Sequence, residues 1–243
     1  MDLLVVGAGE MGRWLARTVD RPVALADIDD AAAERAAADL GDGARAVPAD
    51  TSETFDAVCL AVPISAVDDA VDRYAPRAER AMCDVTGVMR APVEAMRAAL
   101  PDRERLSMHP LFAASNAPGN VAVVADADGP VTDAIRADVA AAGNLLFETT
   151  VEEHDAAMET VQAGAHTAIL AYALAAADVR EEFATPVSAA LDDLVETVTG
   201  GTPRVYREIQ ETFEGAEAVA EAARTVADAE GEAFDDLYRE AGK

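Results

Sequence analysis

The feature that most constrains the fold is a glycine-rich turn close to the N-terminus. Residues 7–12 (GAGEMG) follow directly on the short apolar run Leu3–Val6 and open a helical stretch that extends towards Val19. A strand, a tight glycine turn and a helix in this order form the first unit of a doubly wound α/β sheet. The position of the turn therefore predicts a parallel sheet with helices on both faces.

Each glycine of this turn has a separate predicted task. Gly7 permits the tight turn, Gly9 lets the backbone approach a pyrophosphate, and Gly12 lets the helix pack closely on the strand. Glu10 and Met11 lie between them, where helix amides face phosphate. We therefore predict that these five residues bind a dinucleotide cofactor.

An acidic residue at the end of the second predicted strand indicates which dinucleotide is bound. Asp27 lies twenty positions after Gly7, where a carboxylate accepts hydrogen bonds from the adenosine ribose hydroxyls. The residues after it are Ile28, Asp29 and Asp30, so no arginine is available there for a 2′-phosphate. The pattern favours NAD over NADP. The alternative is that the glycines serve turns alone and Asp27 caps the next helix.

A second loop at the same predicted edge of the sheet follows the fourth strand. Val62 and Pro63 lie where that strand is predicted to end. Loops at this edge usually lie over the cofactor, so both residues are candidate cofactor ligands. An ordinary helix-initiating turn at Pro63 is an equally good interpretation.

Alternation of short apolar runs with Ala-rich amphipathic stretches predicts the organisation of the chain. Strands are predicted at residues 3–6, 23–26, 44–47, 57–62, 81–84, 105–108, 121–124 and 144–147. After Thr149 the strand signal ends, and residues 150–179 form a long helical pattern followed by further helices. Thr150 and Glu153 have the spacing of a capping box at its start. We therefore predict an α/β Rossmann-type domain over residues 1–149 and an all-helical domain over residues 150–243.

Composition excludes several classes of function. Acidic residues outnumber basic ones 46 to 19, for a net charge of −27, so a nucleic-acid partner is not expected. Such a surface repels itself in dilute buffer, whereas salt near 1 M shortens the Debye length to roughly 3 Å. We therefore expect a cytoplasmic protein of a salt-rich, halophilic cell, with a solvated acidic surface for solubility as the alternative. Neither secretion nor membrane insertion is expected.

The two cysteines lie inside apolar runs that are predicted to be buried strands. Cys59 and Cys83 do not have the spacing of metal ligands, and we expect both to be reduced core residues. No other cluster of residues predicts a metal site.

Only three histidines are present, so a general acid or base acting near neutral pH is expected among them. His109 ends the sixth predicted strand, and Pro110 keeps it out of a helix. His154, Gln162 and His166 recur at multiples of four residues, which would place them on one face of the long helix. Such a polar row is buried and hydrogen-bonded, lines a ligand pocket, is solvated, or contacts a second subunit.

Several segments, taken together, resemble the prephenate dehydrogenase family. Besides the glycine turn, they are residues 84–86 (DVT), 108–112 (MHPLF), 153–155 (EHD) and 205–209 (VYREI), together with Gln162 and His166. The resemblance covers most of the chain in order and spacing. It implies a nucleotide-binding domain, a helical domain that forms a homodimer, and a small-molecule substrate.

The resemblance also implies a reaction. Prephenate would undergo NAD-dependent oxidative decarboxylation to 4-hydroxyphenylpyruvate, a step of tyrosine biosynthesis. His109 would accept the hydroxyl hydrogen bond and then the proton. His154, Gln162, His166 and Tyr206 would contact the substrate.

Two positions depart from the family pattern. The family has a serine hydrogen-bonded to the catalytic histidine where this chain has Gly87, and we expect the neighbouring Thr86 to supply a catalytic hydroxyl instead. The family's arginine for the substrate carboxylate lies nine positions before the residue matching Tyr206, where this chain has Thr197. An unpaired carboxylate in a pocket is costly, so we expect Arg204, or else Arg207, to bind it.

Other functions share these features. An arogenate dehydrogenase or another hydroxy-acid dehydrogenase would have the same two domains. A non-catalytic NAD-binding regulator is the alternative outside enzymes, since the serine and arginine are both missing.

Overall fold

The computed structural model describes residues 1–177 and 179–243, and the side chain of residue 181 is also left undescribed. The chain consists of two compact units, Met1–Asp155 and Ala156–Lys243. The first is an α/β unit and the second is helical. The last residue of the α/β unit lies six positions beyond the predicted domain end at residue 149.

The α/β unit contains eight strands, one for each predicted apolar run. They are β1 (Leu3–Val6), β2 (Val23–Ala26), β3 (Ala44–Ala46), β4 (Phe55–Leu60), β5 (Ala78–Asp84), β6 (Glu104–Pro110), β7 (Asn120–Ala127) and β8 (Leu145–Glu148). They form one sheet in the order β3-β2-β1-β4-β5-β6-β7-β8. Strands β1 to β6 are parallel, β7 runs antiparallel to β6, and β8 is parallel to β7. The predicted Rossmann-type, mostly parallel sheet is confirmed.

Five helices connect these strands. They are α1 (Glu10–Thr18), α2 (Asp30–Leu40), α3 (Val67–Tyr74), α4 (Arg90–Ala99) and α5 (Pro130–Ala141). Alternate residues of β1 enter different cores: Leu3 packs in a cluster with residues of α1, α2 and α5, and Leu4 in a cluster with residues of α3 and α4. Helices therefore cover both faces of the sheet, which explains why β1 and β2 are apolar throughout.

The expectation of two reduced cysteines is wrong. Cys59 on β4 and Cys83 on β5 are joined by a disulfide bond. These strands are parallel neighbours, and their register places the two cysteines directly opposite each other, with Cα atoms 4.6 Å apart. The pairing depends on strand register, which the spacing of the cysteines in the sequence does not reveal.

The long helix predicted over residues 150–179 is interrupted. It consists of α6 (Val151–Met158), a π-helical segment (Glu159–Gly164) and α7 (Ala165–Ala175), and residue 178 of the prediction lies outside the described residues. Gly215 explains part of this geometry, because a Cβ there would lie 1.8 Å from the carbonyl oxygen of Glu159. The rule that residues four apart share one face holds for α-helices alone, so the predicted polar row does not follow one regular helix.

The start of α6 confirms half of the predicted capping box. The hydroxyl of Thr150 accepts a hydrogen bond from the backbone N–H of Glu153 at 3.1 Å. The Glu153 carboxylate instead accepts from the hydroxyl of Thr149.

Among the described residues of the helical unit, four more α-helices follow, namely α8 (Pro186–Thr199), α9 (Pro203–Thr212), α10 (Gly215–Asp228) and α11 (Glu232–Ala241). Across the part of the chain that the structure describes, none of the helices has both the length and the apolar character needed to cross a membrane.

Candidate active site

The carboxyl ends of β1, β4, β5 and β6 meet at one edge of the sheet. Because these strands are parallel, the loops after them lie side by side. Ala61 follows β4 and contacts Gly7 after β1, while Gly87 after β5 lies beside His109 near the end of β6. The glycine turn and the predicted catalytic histidine therefore share one edge, which is where ligands bind in open α/β sheets.

The glycine turn has the shape that the sequence predicts. Gly7 has a φ of +102°, and a Cβ there would lie 2.2 Å from the carbonyl oxygen of Ala61. A Cβ at Gly12 would lie 1.8 Å from the carbonyl oxygen of Gly7. In contrast, a Cβ at Gly9 would meet nothing within 4 Å. Two glycines are therefore required by close packing, and the third faces open space.

This open space has the properties of a phosphate cradle. Gly9 is the N-cap of α1 and provides no side-chain cap, so the first amides of the helix remain available for an anion. Glu10, which is exposed, and Met11, which is half-buried, form the first turn. These residues fit the pyrophosphate of a dinucleotide.

Asp27 has a structural task besides its predicted one. Its Oδ2 accepts a hydrogen bond from the backbone N–H of Ala8 at 2.7 Å, and its Oδ1 accepts from that of Asp29 at 2.9 Å. The cap of α2 is Asp29, whose side chain accepts from the N–H of Ala31. The helix-cap interpretation of Asp27 is therefore wrong, and its carboxylate ties the glycine turn to the end of β2.

The loop after β4 contains a short turn. Pro63 precedes a 3-10 turn over Ile64–Ala66, and its carbonyl oxygen accepts from the N–H of Ala66 at 2.9 Å. Val62 packs against the core beneath α3. The predicted turn at Pro63 is confirmed, and its contact with a cofactor stays a prediction.

The loop after β5 gives Thr86 and Gly87 different positions from those expected. The Thr86 hydroxyl lies 2.6 Å from Oδ1 of Asp84 and 2.9 Å from the carbonyl oxygen of Val88. It is Gly87 that lies beside the histidine, because a Cβ there would be 3.7 Å from Nε2 of His109. The Thr86 hydroxyl is therefore directed into the loop, and Gly87 is the loop residue that lies beside His109.

Asp84 is a fully buried carboxyl group beneath this loop. Its Oδ1 also accepts from the backbone N–H of Thr86 at 3.0 Å. Burial raises the pKa of Asp84 to about 7 despite the opposing hydrogen bonds from Thr86. The sequence analysis placed Asp84 in the DVT segment of the resemblance but gave it no task, because its burial follows from the sheet that surrounds it.

His109 is the first member of a row of three polar groups within the α/β unit. Its Nδ1 lies 2.8 Å from Nε2 of His154, and the rings meet edge to face with centroids 5.1 Å apart. The Nδ1 of His154 lies in turn 2.8 Å from Oδ1 of Asp155. We call these residues the His-His-Asp row.

Burial and charge set the protonation states within the row. Burial and the proximity of His154 lower the pKa of His109 to about 3, although Asp155 acts in the opposite direction. Burial also acts to raise the pKa of Asp155, but hydrogen bonds from His154 and from the amides of Met89 and Arg90 hold it below the usual range. Near neutral pH, His109 is therefore a neutral imidazole and Asp155 a carboxylate.

His154 was predicted to contact the substrate, but both of its ring nitrogens are engaged within the row. The sequence also missed the part played by Asp155. The EHD segment was the available signal, since it places a carboxylate next to a histidine.

The helical unit contains the other predicted substrate residues. The rings of His166 and Tyr206 meet edge to face with centroids 4.7 Å apart. Burial lowers the pKa of His166, and its buried Nδ1 has no hydrogen-bond partner among the described residues. Gln162 lies in the π-helical segment and is half-buried. The structure thus pairs His166 with Tyr206.

Gln210 on α9 is a residue of this unit that the sequence analysis missed. Its amide nitrogen donates to the carbonyl oxygen of Ala163 at 2.9 Å, and its amide oxygen accepts from the hydroxyl of Thr167 at 3.0 Å. These bonds tie α9 to the π-helical segment and to α7. The sequence offered no signal, because this partner lies in a different helix.

The predicted substrate arginines have acidic partners. The Arg204 Nε donates to Glu208 at 2.8 Å, and Arg207 lies 3.9 Å from Glu211. Thr197 donates its hydroxyl to the carbonyl oxygen of Asp193 in α8. The structure describes no group of three or more His, Cys, Asp or Glu side chains arranged for a metal ion within residues 1–177 and 179–243.

Comparison with known proteins places this geometry in context. Residues 11–126 match the model of the nucleotide-binding domain of prephenate dehydrogenase. A 4-amino-4-deoxyprephenate dehydrogenase from Streptomyces pristinaespiralis is 31% identical over 90% of this chain and 80% of its own length.

Solved structures agree at the level of the fold. A prephenate dehydrogenase from A. aeolicus, in complex with hydroxyphenyl propionate and NAD+, has a TM-score of 0.72 at 16% identity and covers 100% of this chain and 92% of its own. The arogenate dehydrogenase of Synechocystis has a TM-score of 0.70 at 16% identity and covers 100% of this chain and 96% of its own.

Proposed function

Because the chain belongs to the prephenate dehydrogenase family of oxidoreductases, we propose that it converts prephenate to 4-hydroxyphenylpyruvate with NAD as the oxidant. The observation that carries this proposal is the position of His109. It is a neutral, buried imidazole at the sheet edge that also holds the glycine turn. A base beside a nucleotide cradle suits removal of a hydroxyl proton during hydride transfer.

The residues of the α/β unit fit NAD. Gly9 and the first amides of α1 would hold the pyrophosphate, and Asp27 would accept from the ribose hydroxyls with its remaining lone pairs. Arg35 on α2 is the first arginine after Asp27 in the chain, and its guanidinium group is paired with Asp29. Bound NAD would supply the nicotinamide that accepts the hydride.

A weak base suits this reaction. When the hydride leaves the ring carbon, the hydroxyl on that carbon becomes strongly acidic. His109 then needs only to accept a hydrogen bond and receive the proton, which a neutral imidazole with a pKa of about 3 can do. The C–C bond to the ring carboxylate then breaks, its electron pair makes the ring aromatic, and carbon dioxide leaves. The phenolate oxygen formed in this step takes a proton back from the His109 imidazolium, which gives the hydroxyl group of the product.

The amino analogue of prephenate is a second candidate substrate. The curated relative from Streptomyces pristinaespiralis is named for 4-amino-4-deoxyprephenate. A neutral amino group stabilises the developing cation with its own lone pair and need not lose a proton in the same step. Oxidation of this compound would therefore depend less on His109 than oxidation of prephenate.

The assay follows NADH formation in high salt with prephenate, arogenate and 4-amino-4-deoxyprephenate in parallel. We expect turnover of prephenate and a loss of about 10²- to 10⁴-fold in kcat for His109→Asn. Glu152→Gln is the matched control, since this carboxylate is exposed on α6 and lies outside the row. Turnover confined to the amino compound or to arogenate would reassign the substrate, and NAD binding without any turnover would support a regulator.

The helical unit is the part of the chain to which we assign substrate binding and dimerisation. Gln162, His166, Arg204 and Tyr206 remain the proposed substrate ligands.

Large apolar side chains such as Leu174, which is 89% exposed, support a homodimer. Light scattering that showed a monomer at all concentrations would exclude it. The net charge supports our assignment to a salt-rich cytoplasm.

A further inference from the structure

We infer that His154 and Asp155 are positioning residues that hold His109 in the tautomer required of a base. The inference rests on the proposed function, which makes His109 the base, and it gives His154 a different task from substrate binding. It depends on two hydrogen bonds of 2.8 Å within the α/β unit.

Asp155 determines which atom donates and which accepts in each hydrogen bond of the row. Its two oxygens accept the backbone amides of Met89 at 3.2 Å and Arg90 at 3.3 Å, at the start of α4. A carboxylate held in this way can only accept from its next neighbour, His154. The proton between them therefore belongs to Nδ1 of His154.

The tautomer of His109 follows from the tautomer of His154. With one ring proton, on Nδ1 and directed at Asp155, His154 has a lone pair on Nε2 that accepts from Nδ1–H of His109. The proton of His109 then lies on Nδ1, and its lone pair lies on Nε2. This Nε2 is the atom near Gly87, at the edge of the sheet where the glycine turn lies.

The row also compensates the charge that the reaction creates. As the hydride passes to NAD, the O–H bond of the substrate breaks and its proton binds Nε2 of His109, which becomes an imidazolium. The Nδ1 proton can then move along the hydrogen bond to Nε2 of His154. This second step places the positive charge beside the Asp155 carboxylate, and no atom or electron is gained or lost by the row.

Burial makes this support necessary. His109 is 6% exposed and His154 is 3% exposed, so water offers little stabilisation to a charged ring. Asp155, at 16% side-chain exposure, is the acidic group that faces His154. The charge on His109 is thus compensated through its neighbour.

The test uses Asp155→Asn, which should exchange donor and acceptor in each hydrogen bond of the row. An amide can donate to Nδ1 of His154, which would move protons to Nε2 of both histidines and remove the lone pair that acts as the base. We expect kcat with prephenate and NAD to fall about 10²- to 10⁴-fold, with KM for NAD unchanged. Nitrogen chemical shifts of the two rings, recorded without substrate, should show the change of tautomer.

A second variant covers the case in which Asp155→Asn fails to fold, since Asp155 also caps α4. His154→Gln keeps an acceptor for Nδ1–H of His109 but cannot carry a charge. We expect it to retain the tautomer of His109 and to lose about tenfold or more in kcat, whereas His154→Leu should lose both. Glu152→Gln, an exposed neighbour on α6, should change neither.

Two results would overturn the inference. One is a wild-type protein in which Nε2 of His109 carries the proton at neutral pH. The other is a kcat within about threefold of wild type in folded His154→Leu and Asp155→Asn. Because the nitrogen shifts require no substrate, they judge the row even if the protein turns over none of the three compounds.

Discussion

Asp84 gives the sharpest prediction about stability. This carboxyl group is fully buried at the end of β5, and burial raises its pKa to about 7 from 3.8. The hydrogen bonds that Thr86 donates to this carboxyl group act in the opposite direction, so the protonated form is favoured by burial and not by the loop.

The sign of the pH effect follows from proton binding. Between about pH 4 and about pH 7 the native protein holds a proton on Asp84 that the unfolded chain has released, so the free energy of unfolding falls as pH rises. A pKa of about 7 against 3.8 corresponds to a loss on the order of 4 kcal/mol in the free energy of unfolding, and this loss is complete above pH 7. Asp84→Asn should remove this loss of stability, because an amide has nearly the same shape as a carboxyl group and does not ionise.

The assay is urea denaturation of both proteins in the same concentrated salt, from about pH 4 to about pH 8. We expect the stability of Asp84→Asn relative to wild type to increase by about 4 kcal/mol over this range. His109→Asn is a control of opposite sign. The pKa of His109 is lowered from 6.5 to about 3, so the wild-type protein loses stability as pH falls below 6.5. The variant has no such group, and its stability relative to wild type should increase at acid pH. A difference between wild type and Asp84→Asn that does not change with pH would refute the reasoning.

Two further predictions concern the glycine turn and the acidic surface. Gly7→Ala should destabilise the protein by about 2 kcal/mol or more, because a Cβ there meets a positive φ and the backbone of Ala61. Gly9→Val should leave stability nearly unchanged and weaken NAD binding about tenfold or more, as measured by calorimetry, since the space before it is open. Equal effects of both changes on stability would show that Gly9 is a packing residue. The melting temperature of the wild type should rise in molar KCl over dilute buffer, because salt screens a net charge of −27, and a melting temperature that stayed constant or fell would contradict this.

Local pattern was sufficient for much of the fold. Apolar runs bounded by turns located all eight strands, and the chain position of Gly7 and His109 at strand ends placed both at one edge of the sheet. These features depend on neighbours in sequence. The pairing of Cys59 with Cys83 depends on register between two strands, which spacing alone does not define.

Features that depend on packing between distant segments could not be predicted. The π-helical segment accompanies a close approach of Gly215, which lies more than fifty residues further along the chain. The bond between His109 and His154 spans 45 positions and requires the start of α6 to reach the end of β6. The EHD segment marked His154 as functional without indicating that it contacts a second histidine.

The strand that carries His109 lies between two others. On β6, Ser107 pairs with Asp84 of parallel β5, and His109 pairs with Ala122 of antiparallel β7. The imidazole is thus anchored to an interior strand, whose backbone moves far less than a surface loop. Changes in the loops and helices that recognise a ring substituent can therefore accumulate while the proton acceptor stays in place, so a new specificity can evolve in this scaffold without rebuilding its chemistry.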